Sequence, residues 1–338
     1  MSTTLEEIAK QAGVSRSTVS RVMNDHPSVD QDTRARVRSV AERLNYQPNV
    51  AARSLAVGRT NVIGLVIPMG VSALFTDPYF PLLIQGITSA CNANEHSVML
   101  WLAEPEYERR TIRQVLQGGL IDGVILASAL MDDPMLEALQ RRGLPFIMVG
   151  RLPSDNQISY VDVDNVNSAR EMVSYLLRLG HRRVATIAGP TNMIAGSDRL
   201  EGYRLALRNR GLTPDPALIV EADFTEEGGY VAMQRLLPQA PNAVFVASDA
   251  MAIGAMRALR EAGLRVPDDI AIAGFDDIPM AARTEPTLTT VRQPIQRMGS
   301  LAAETLIDMI SHPHPQPRRI ILPTELVIRE SSGFAPNR

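Results

Sequence analysis

The chain holds a single cysteine, Cys91, which excludes an internal disulfide framework, and its position on the apolar side of an expected helix reads as core. Trp101 is the one tryptophan and aromatic residues make up only 4% of the sequence, so aromatic rings beside polar groups stand out. Lys10 is the one lysine among 34 basic residues, a bias from which no function follows. No apolar run reaches the ~20 residues of a membrane helix, and Met1 leads straight into a helical pattern rather than a charged-then-apolar leader. The chain is therefore expected to be cytoplasmic and unprocessed. Walker-type phosphate loops, Gly-x-Ser-x-Gly elbows and metal-spaced His/Cys clusters are missing, so no catalytic residue, cofactor or metal is expected. His312-Pro313-His314-Pro315 comes nearest to a metal motif, but its interleaved prolines and lack of further ligands make it a surface loop.

At 338 residues the chain is too long for one ordinary core. Its charge is unevenly divided: residues 1–58 carry eight Lys/Arg against six Asp/Glu and are +2, leaving −5 for the rest of a chain whose net charge is −3. A surplus that small binds polyanions only through placement and doubling.

Leu5, Ile8, Ala9 and Ala12 recur at helical spacing, with Thr4 and Glu7 placed for a capping box and Gly13 for the stop. Ser15 is placed to cap a second helix, Arg16 to Asn24, which can bury Val19, Val22 and Met23 while Arg16, Ser17, Thr18, Ser20 and Arg21 lie on its other faces. A third helix is expected over Asp32 to Leu44, with Val37, Val40, Ala41 and Leu44 inward. These are helix-turn-helix proportions. In that reading Arg16 and Arg21 read base edges, Ser17 contacts either base type, and Thr18, Ser20 and the helix-start amides hold phosphates. A three-helix protein-docking module with a solvated arginine face has the same spacing. The next segment, Pro48 to Val57, has the composition of a short helix with little to bury and an exposed Leu55.

From residue 60 short apolar runs alternate with amphipathic ones. Strands are expected at 62–67, 98–102, 123–127, 146–149, 184–188, 243–247 and 270–275, and helices at 82–94, 167–179, 198–210, 226–237, 251–262 and 298–310. This is βαβ architecture with parallel sheets buried on both faces. Ligands of such sheets bind beyond the carboxyl ends of the strands. Arg151, Ser248 and Asp276 fall just after apolar runs, Phe224 after a strand near Ile219, and Arg199 near a helix start. An arginine, a carboxylate, a hydroxyl and an aromatic face suit a sugar, with Arg199 and Asp276 chelating hydroxyls and Phe80 or Phe224 stacking on the ring. Each residue has a plainer alternative: Arg199 as an ion-pair partner of Glu201, Asp276 as a turn residue, Phe224 as core, Asp77 and Tyr79 as surface loop, and Trp101 as core or a subunit face.

The segments Thr4-Leu5-x-x-Ile8-Ala9, Gly13-Val14-Ser15-x-x-Thr18-Val19-Ser20-Arg21-Val22, Asn45-Tyr46-x-Pro48 and Arg53-Ser54-Leu55 together resemble the headpiece and hinge of the lactose-repressor (LacI/GalR) family of bacterial transcription regulators. The resemblance extends through Leu179-Gly180-His181-Arg182-Arg183, Arg199-x-x-Gly202-Tyr203, Val246-Ala247-Ser248-Asp249 and Pro286-x-Leu288-Thr289-Thr290-Val291. It implies a helix-turn-helix domain over 1–47, a hinge over 48–59, and an α/β core over 60–338 with the two lobes of periplasmic sugar-binding proteins. The first lobe takes about 60–161 and 292–323, the second about 162–291 and 324–334, with crossovers near Val161, Val291 and Pro323. It implies DNA contacts from Ser15, Arg16, Ser17, Thr18, Arg21, Asn24, Tyr46, Arg53 and Leu55, with Leu55 wedged into a minor-groove step. Arg199 and Asp276 match family ligand positions; Asp77, Phe80, Phe224 and Ser248 join them as pocket candidates. Arg151 departs from members with a carboxylate after the fourth strand and points to an acidic or more heavily hydroxylated sugar. The expected function is a repressor that binds a pseudo-palindromic double-stranded operator as a homodimer under control of a mono- or disaccharide, without membrane contact. A sugar-binding transport component, or a regulator answering to a purine or nucleoside, is the alternative.

Overall fold

A computed structural model describes residues 4–46, 59–67, 74, 76–102, 119–127, 131, 134–152, 157–313 and 316–333. The chain divides into two compact units, residues 1–60 and 61–338. Pro48, Arg53 and Leu55 lie outside the described residues, as do His314 and Pro315.

In the first unit α1 (Leu5–Ala12), α2 (Arg16–Met23) and α3 (Gln31–Arg43) enclose Ile8, Val19, Val22, Val37 and Val40. The starts are fixed by side chains. The Glu7 N–H donates to Thr4 Oγ1 at 3.3 Å while Glu7 returns the bond to the Thr4 N–H at 2.9 Å, a full capping box. Ser15 and Asp30 cap α2 and α3, and Gly13 closes α1 at φ 64°, a left-handed conformation that glycine adopts without strain. The third helix starts one residue before the Asp32 expected from sequence, because Asp30 and not the apolar pattern sets its cap.

The second unit holds two parallel sheets. In chain order the first lobe begins β1 (Val62–Ile67), α4 (Tyr79–Ala93), β2 (Ser97–Leu102), β3 (Gly123–Ala127), α5 (Pro134–Arg142), β4 (Phe146–Val149) and β5 (Tyr160–Val163). The second follows as α6 (Asn165–Arg178), β6 (Val184–Ala188), α7 (Ile194–Arg208), β7 (Ile219–Glu221), α8 (Glu226–Leu236), β8 (Ala243–Val246), α9 (Asp249–Glu261) and β9 (Ala271–Ala273). Then come β10 (Thr290–Arg292), α10 (Ile295–Ser311), β11 (Arg319–Leu322) and β12 (Glu325–Val327). One sheet has the order β11-β5-β4-β3-β1-β2 and the other β7-β6-β8-β9, while β10 and β12 pair antiparallel. The chain passes between lobes after β5, between β10 and α10, and between β11 and β12. Helices cover both faces of each sheet, which explains why the central strands are apolar without alternation.

Eight strands, β4, β5 and β7 to β12, are three or four residues long, and of these only β4, β8 and β9 lie in longer apolar runs. The others are broken or flanked by charged residues, so the apolar pattern predicts none of β5, β10, β11 and β12 and places β7 only loosely. Helix α5 is not predicted either. The expected helix from Asp198 begins earlier, at Ile194, placing Arg199 in its second turn.

Helices α8 and α9 approach backbone to backbone at two glycines. A Cβ on Gly254 would sit 1.8 Å from the Glu226 carbonyl oxygen, and one on Gly229 2.1 Å from that of Met251. Backbone cannot yield as a flexible side-chain tip can. Gly254→Ala should therefore lower stability by roughly 1–3 kcal/mol or more, measured by urea unfolding. An unchanged midpoint would mean that the helices slide apart at little cost.

Candidate DNA interface and ligand cleft

In the first unit Ser15, Arg16, Ser17, Arg21 and Asn24 are exposed and Thr18 is half-buried, so one end and one face of α2 present hydroxyls, an amide and two arginines. Ser15 Oγ lies 2.7 Å from Ser17 Oγ and 2.9 Å from Thr18 Oγ1, a hydroxyl cluster at the amino end of the helix, where backbone N–H groups favour phosphate oxygens. Arg16 Nε pairs with Glu6 at 2.8 Å, but with both side chains more than half exposed the pair is weak and easily exchanged for a phosphate or a base. Tyr46 packs half-buried against the headpiece core. Two of the α3 arginines serve the fold: Arg34 and Arg38 meet Asp25 at 3.1 and 2.5 Å, and Arg34 also donates to the His26 carbonyl at 2.7 Å. They tie down the connection between α2 and α3.

The second unit encloses a cavity of about 140 Å³ at the carboxyl ends of strands from both lobes. Asp77, Phe80, Arg151, Arg199, Phe224, Ser248 and Asp276, scattered over two hundred residues of sequence, all line it. The first lobe contributes Asp77 and Phe80 at the start of α4 and Arg151 after β4. The second contributes Arg199 from α7 and Phe224, Ser248 and Asp276 from the ends of β7, β8 and β9. Ser248 also caps α9, its side chain accepting from the Met251 N–H.

Arg199 is the hub. Its Nε donates to Asn165 Oδ1 at 2.9 Å, its Nη1 donates to the Ala247 carbonyl at 2.6 Å and lies 3.4 Å from Asp276 Oδ1, and its guanidinium stacks 3.7 Å from the Phe275 ring centroid. Glu201, the plainer partner considered from sequence, instead pairs with Arg208. Asp276 Oδ1 also accepts from Gln293 Nε2 at 2.6 Å. Asp276 is held at φ 126°, a strained geometry that the surrounding bonds over-determine. Phe224, at φ 67°, lays its ring on Gly189: a Cβ there would lie 2.2 Å from the ring.

The site is rich in carboxylate. Burial pushes the Asp276 carboxyl up to about 7, opposed by Arg199 and assisted by the Asp77 charge. Burial raises Asp77 as well, and it raises Asp249, directly behind Asp276, where the Asp276 charge adds to the effect. Asp162 and Asp198 are raised by burial even though both face Arg151. Arg151 Nη1 donates to Asp162 at 2.8 Å and Nη2 lies 2.5 Å from Asp198. Both ends of that guanidinium are engaged by acids.

Tyr79, Asp162, Asn165 and Gln293 also line the cavity. Apart from Tyr79 they carry no signal in the sequence: Asp162 lies within β5 and breaks its apolar run, Asn165 follows that strand, and Gln293 lies in a crossover. Trp101 stands elsewhere, on the edge strand β2, with its ring against Gly64.

A helix-turn-helix with hydroxyls and arginines at the exposed end of its second helix, in one chain with a two-lobed parallel-sheet core enclosing a polar cleft, defines a DNA-binding regulator with a ligand-binding core. Residues 4–49 match bacterial regulatory proteins of the lacI family, and residues 173–332 match a periplasmic binding protein-like domain. The HTH-type transcriptional regulator CelR of Thermobifida fusca is 41% identical over 97% of this chain and 98% of its own. The ribose operon repressor of Escherichia coli K12 is 36% identical over 97% and 99%. Among solved structures, a CelR–cellobiose complex shares 39% identity at a TM-score of 0.78, covering 97% of this chain and 99% of that one. A lac repressor dimer bound to operator and the anti-inducer ONPF has 28% identity and a TM-score of 0.86, covering 98% and 100%. The chain belongs to the lacI family of bacterial transcriptional regulators.

Proposed function

We propose that this regulator is a cytoplasmic, non-enzymatic repressor that binds a pseudo-palindromic operator as a homodimer and is controlled by an uncharged mono- or disaccharide. The carrying observation is the Arg199–Asp276 pair beside Phe80 and Phe224, fixed donors and acceptors for adjacent hydroxyls next to apolar ring faces. The paired state of Arg151 and the surrounding carboxylates favour a neutral polyol over a sugar acid. Relatives whose names refer to ribose, and to cellobiose in a solved complex, support the class. Ser15, Arg16, Ser17, Thr18, Arg21, Asn24 and Tyr46 form the proposed DNA face, completed by Arg53 and Leu55 in a hinge over 48–59. Ligand binding shifts the balance between two lobe arrangements and, through the hinge, DNA affinity.

One experiment tests both halves. The full chain is used to select from random DNA duplexes, and the recovered duplex is titrated by fluorescence anisotropy with and without cellobiose, ribose or hypoxanthine. An inverted repeat with half-sites about one helical turn apart is expected, and at least a fivefold change in affinity with one of the two sugars. Arg16→Ala should cost roughly 1–3 kcal/mol and relax one base pair per half-site. Enrichment without an inverted repeat would defeat the dimer reading, and a response to hypoxanthine alone the sugar reading.

A further inference from the structure

Arg151 and Asp198 come from different lobes. Arg151 follows β4 of the first sheet, and Asp198 lies in α7, packed on the second. Arg151 Nη2 and Asp198 Oδ2 are 2.5 Å apart, with side chains 24% and 12% exposed, so the pair is largely withdrawn from solvent. The other arm, Nη1, is anchored to Asp162 at 2.8 Å on the arginine's own side of the cleft. Asp162 is fixed in turn, its Oδ1 accepting from the Val163 N–H at 2.8 Å and from Asn165 Nδ2 at 3.1 Å. The guanidinium is therefore held rigidly by the first lobe and reaches across to one carboxylate of the second. Asp198, unlike Arg151 and Asp162, does not line the cavity.

We propose that the Arg151–Asp198 pair is a latch between the lobes, making Asp198 a positioning residue that sets ligand affinity without touching ligand. Separating the lobes pulls the two charges apart and leaves Asp198 without its counter-charge. The pair favours the closed arrangement, and apparent affinity scales with the fraction of molecules in the arrangement that binds. Asp162 holds the same arginine but spans no gap, so its loss changes Arg151 without unfastening the lobes. This inference rests on the reading that the cleft closes around its ligand, but the pair can be tested without any ligand.

The experiment compares the full-length wild type, Asp198→Asn and Asp162→Asn. Hydrogen exchange is followed in the segments 146–151 and 246–250, which contribute cavity lining from the first and second lobe, and cellobiose is titrated by calorimetry. Asp198→Asn keeps the side-chain volume and is expected to exchange faster in both segments while the interior of α7 stays protected. Asp162→Asn is expected to leave the far segment, 246–250, at the wild-type rate. Cellobiose affinity should fall about tenfold in Asp198→Asn. Equal exchange in wild type and Asp198→Asn, or faster exchange throughout α7, would overturn the latch. Should cellobiose fail to bind the wild type, the cellobiose choice falls and the exchange comparison alone decides the latch.

Discussion

Arg199→Met is expected to lower the affinity of the cleft for its sugar by more than a hundredfold and to remove about 3–5 kcal/mol of stability. The side chain is 6% exposed and meets Asn165, Ala247, Asp276 and the Phe275 ring at once. Methionine fills much of the same volume and keeps an apolar contact with Phe275, so the loss is mainly polar. It leaves the Asp276 carboxylate with Gln293 but no counter-charge and removes the Arg199 donor from the Ala247 carbonyl, and a buried group that loses its partner costs more than the original bond contributed. Arg199→Lys separates the two effects. It keeps the charge near Asp276 but replaces a rigid planar fork with a single mobile ammonium, so it should recover much of the stability and little of the affinity. Urea unfolding and calorimetry with the sugar that binds the wild type measure the two quantities independently. If Arg199→Met melts early yet binds normally once folded, Arg199 is a structural residue and the sugar-chelating role is wrong.

How far this chain can be read from sequence depends on the length of its signals. The headpiece is legible almost to the residue because its caps are side-chain chemistry: Thr4, Glu7, Gly13 and Ser15 announce helix ends directly. The long buried strands are legible as apolar runs. Asp276 stands out just beyond an apolar run and Arg199 near a helix start, yet their partners do not, because Asn165 and Gln293 lie in sequence 34 residues before Arg199 and 17 after Asp276. No local pattern relates such distances; only the crossovers between lobes bring them together. Arg151 is similar: its position after β4 is plain from sequence, but nothing nearby reveals that Asp162 and Asp198 converge on it.

Burial of the Asp276 carboxyl gives the second large prediction: between about pH 4 and 7 the protein should lose stability as the pH rises, and Asp276→Asn should flatten that slope. The carboxyl of Asp276 titrates near 3.8 when unfolded and near 7 when buried, so across that window the folded state holds a proton that the unfolded state has released. Stability falls with rising pH wherever the folded state binds more protons. Below the unfolded value both states are protonated and the effect vanishes; above about 7 both are ionised and the full cost of burying the charge is present. Each pH unit between those two titration points corresponds to about 1.4 kcal/mol, so the span is several kcal/mol. Asp249 and Asp77, raised by the same burial, push in the same direction, while Asp30, Asp308 and Glu330, held below their usual range by hydrogen bonds at the surface, push weakly the other way. Asparagine suits the test because its amide oxygen can still accept from Gln293 and Arg199, and because asparagine tolerates positive φ better than most residues. Melting temperatures of wild type and variant at half-unit steps from pH 4.5 to 8 measure it. A wild-type curve that rises through this window would mean that Arg199 keeps Asp276 ionised throughout and that the cleft presents a carboxylate, rather than a carboxylic acid, to the hydroxyls of its ligand.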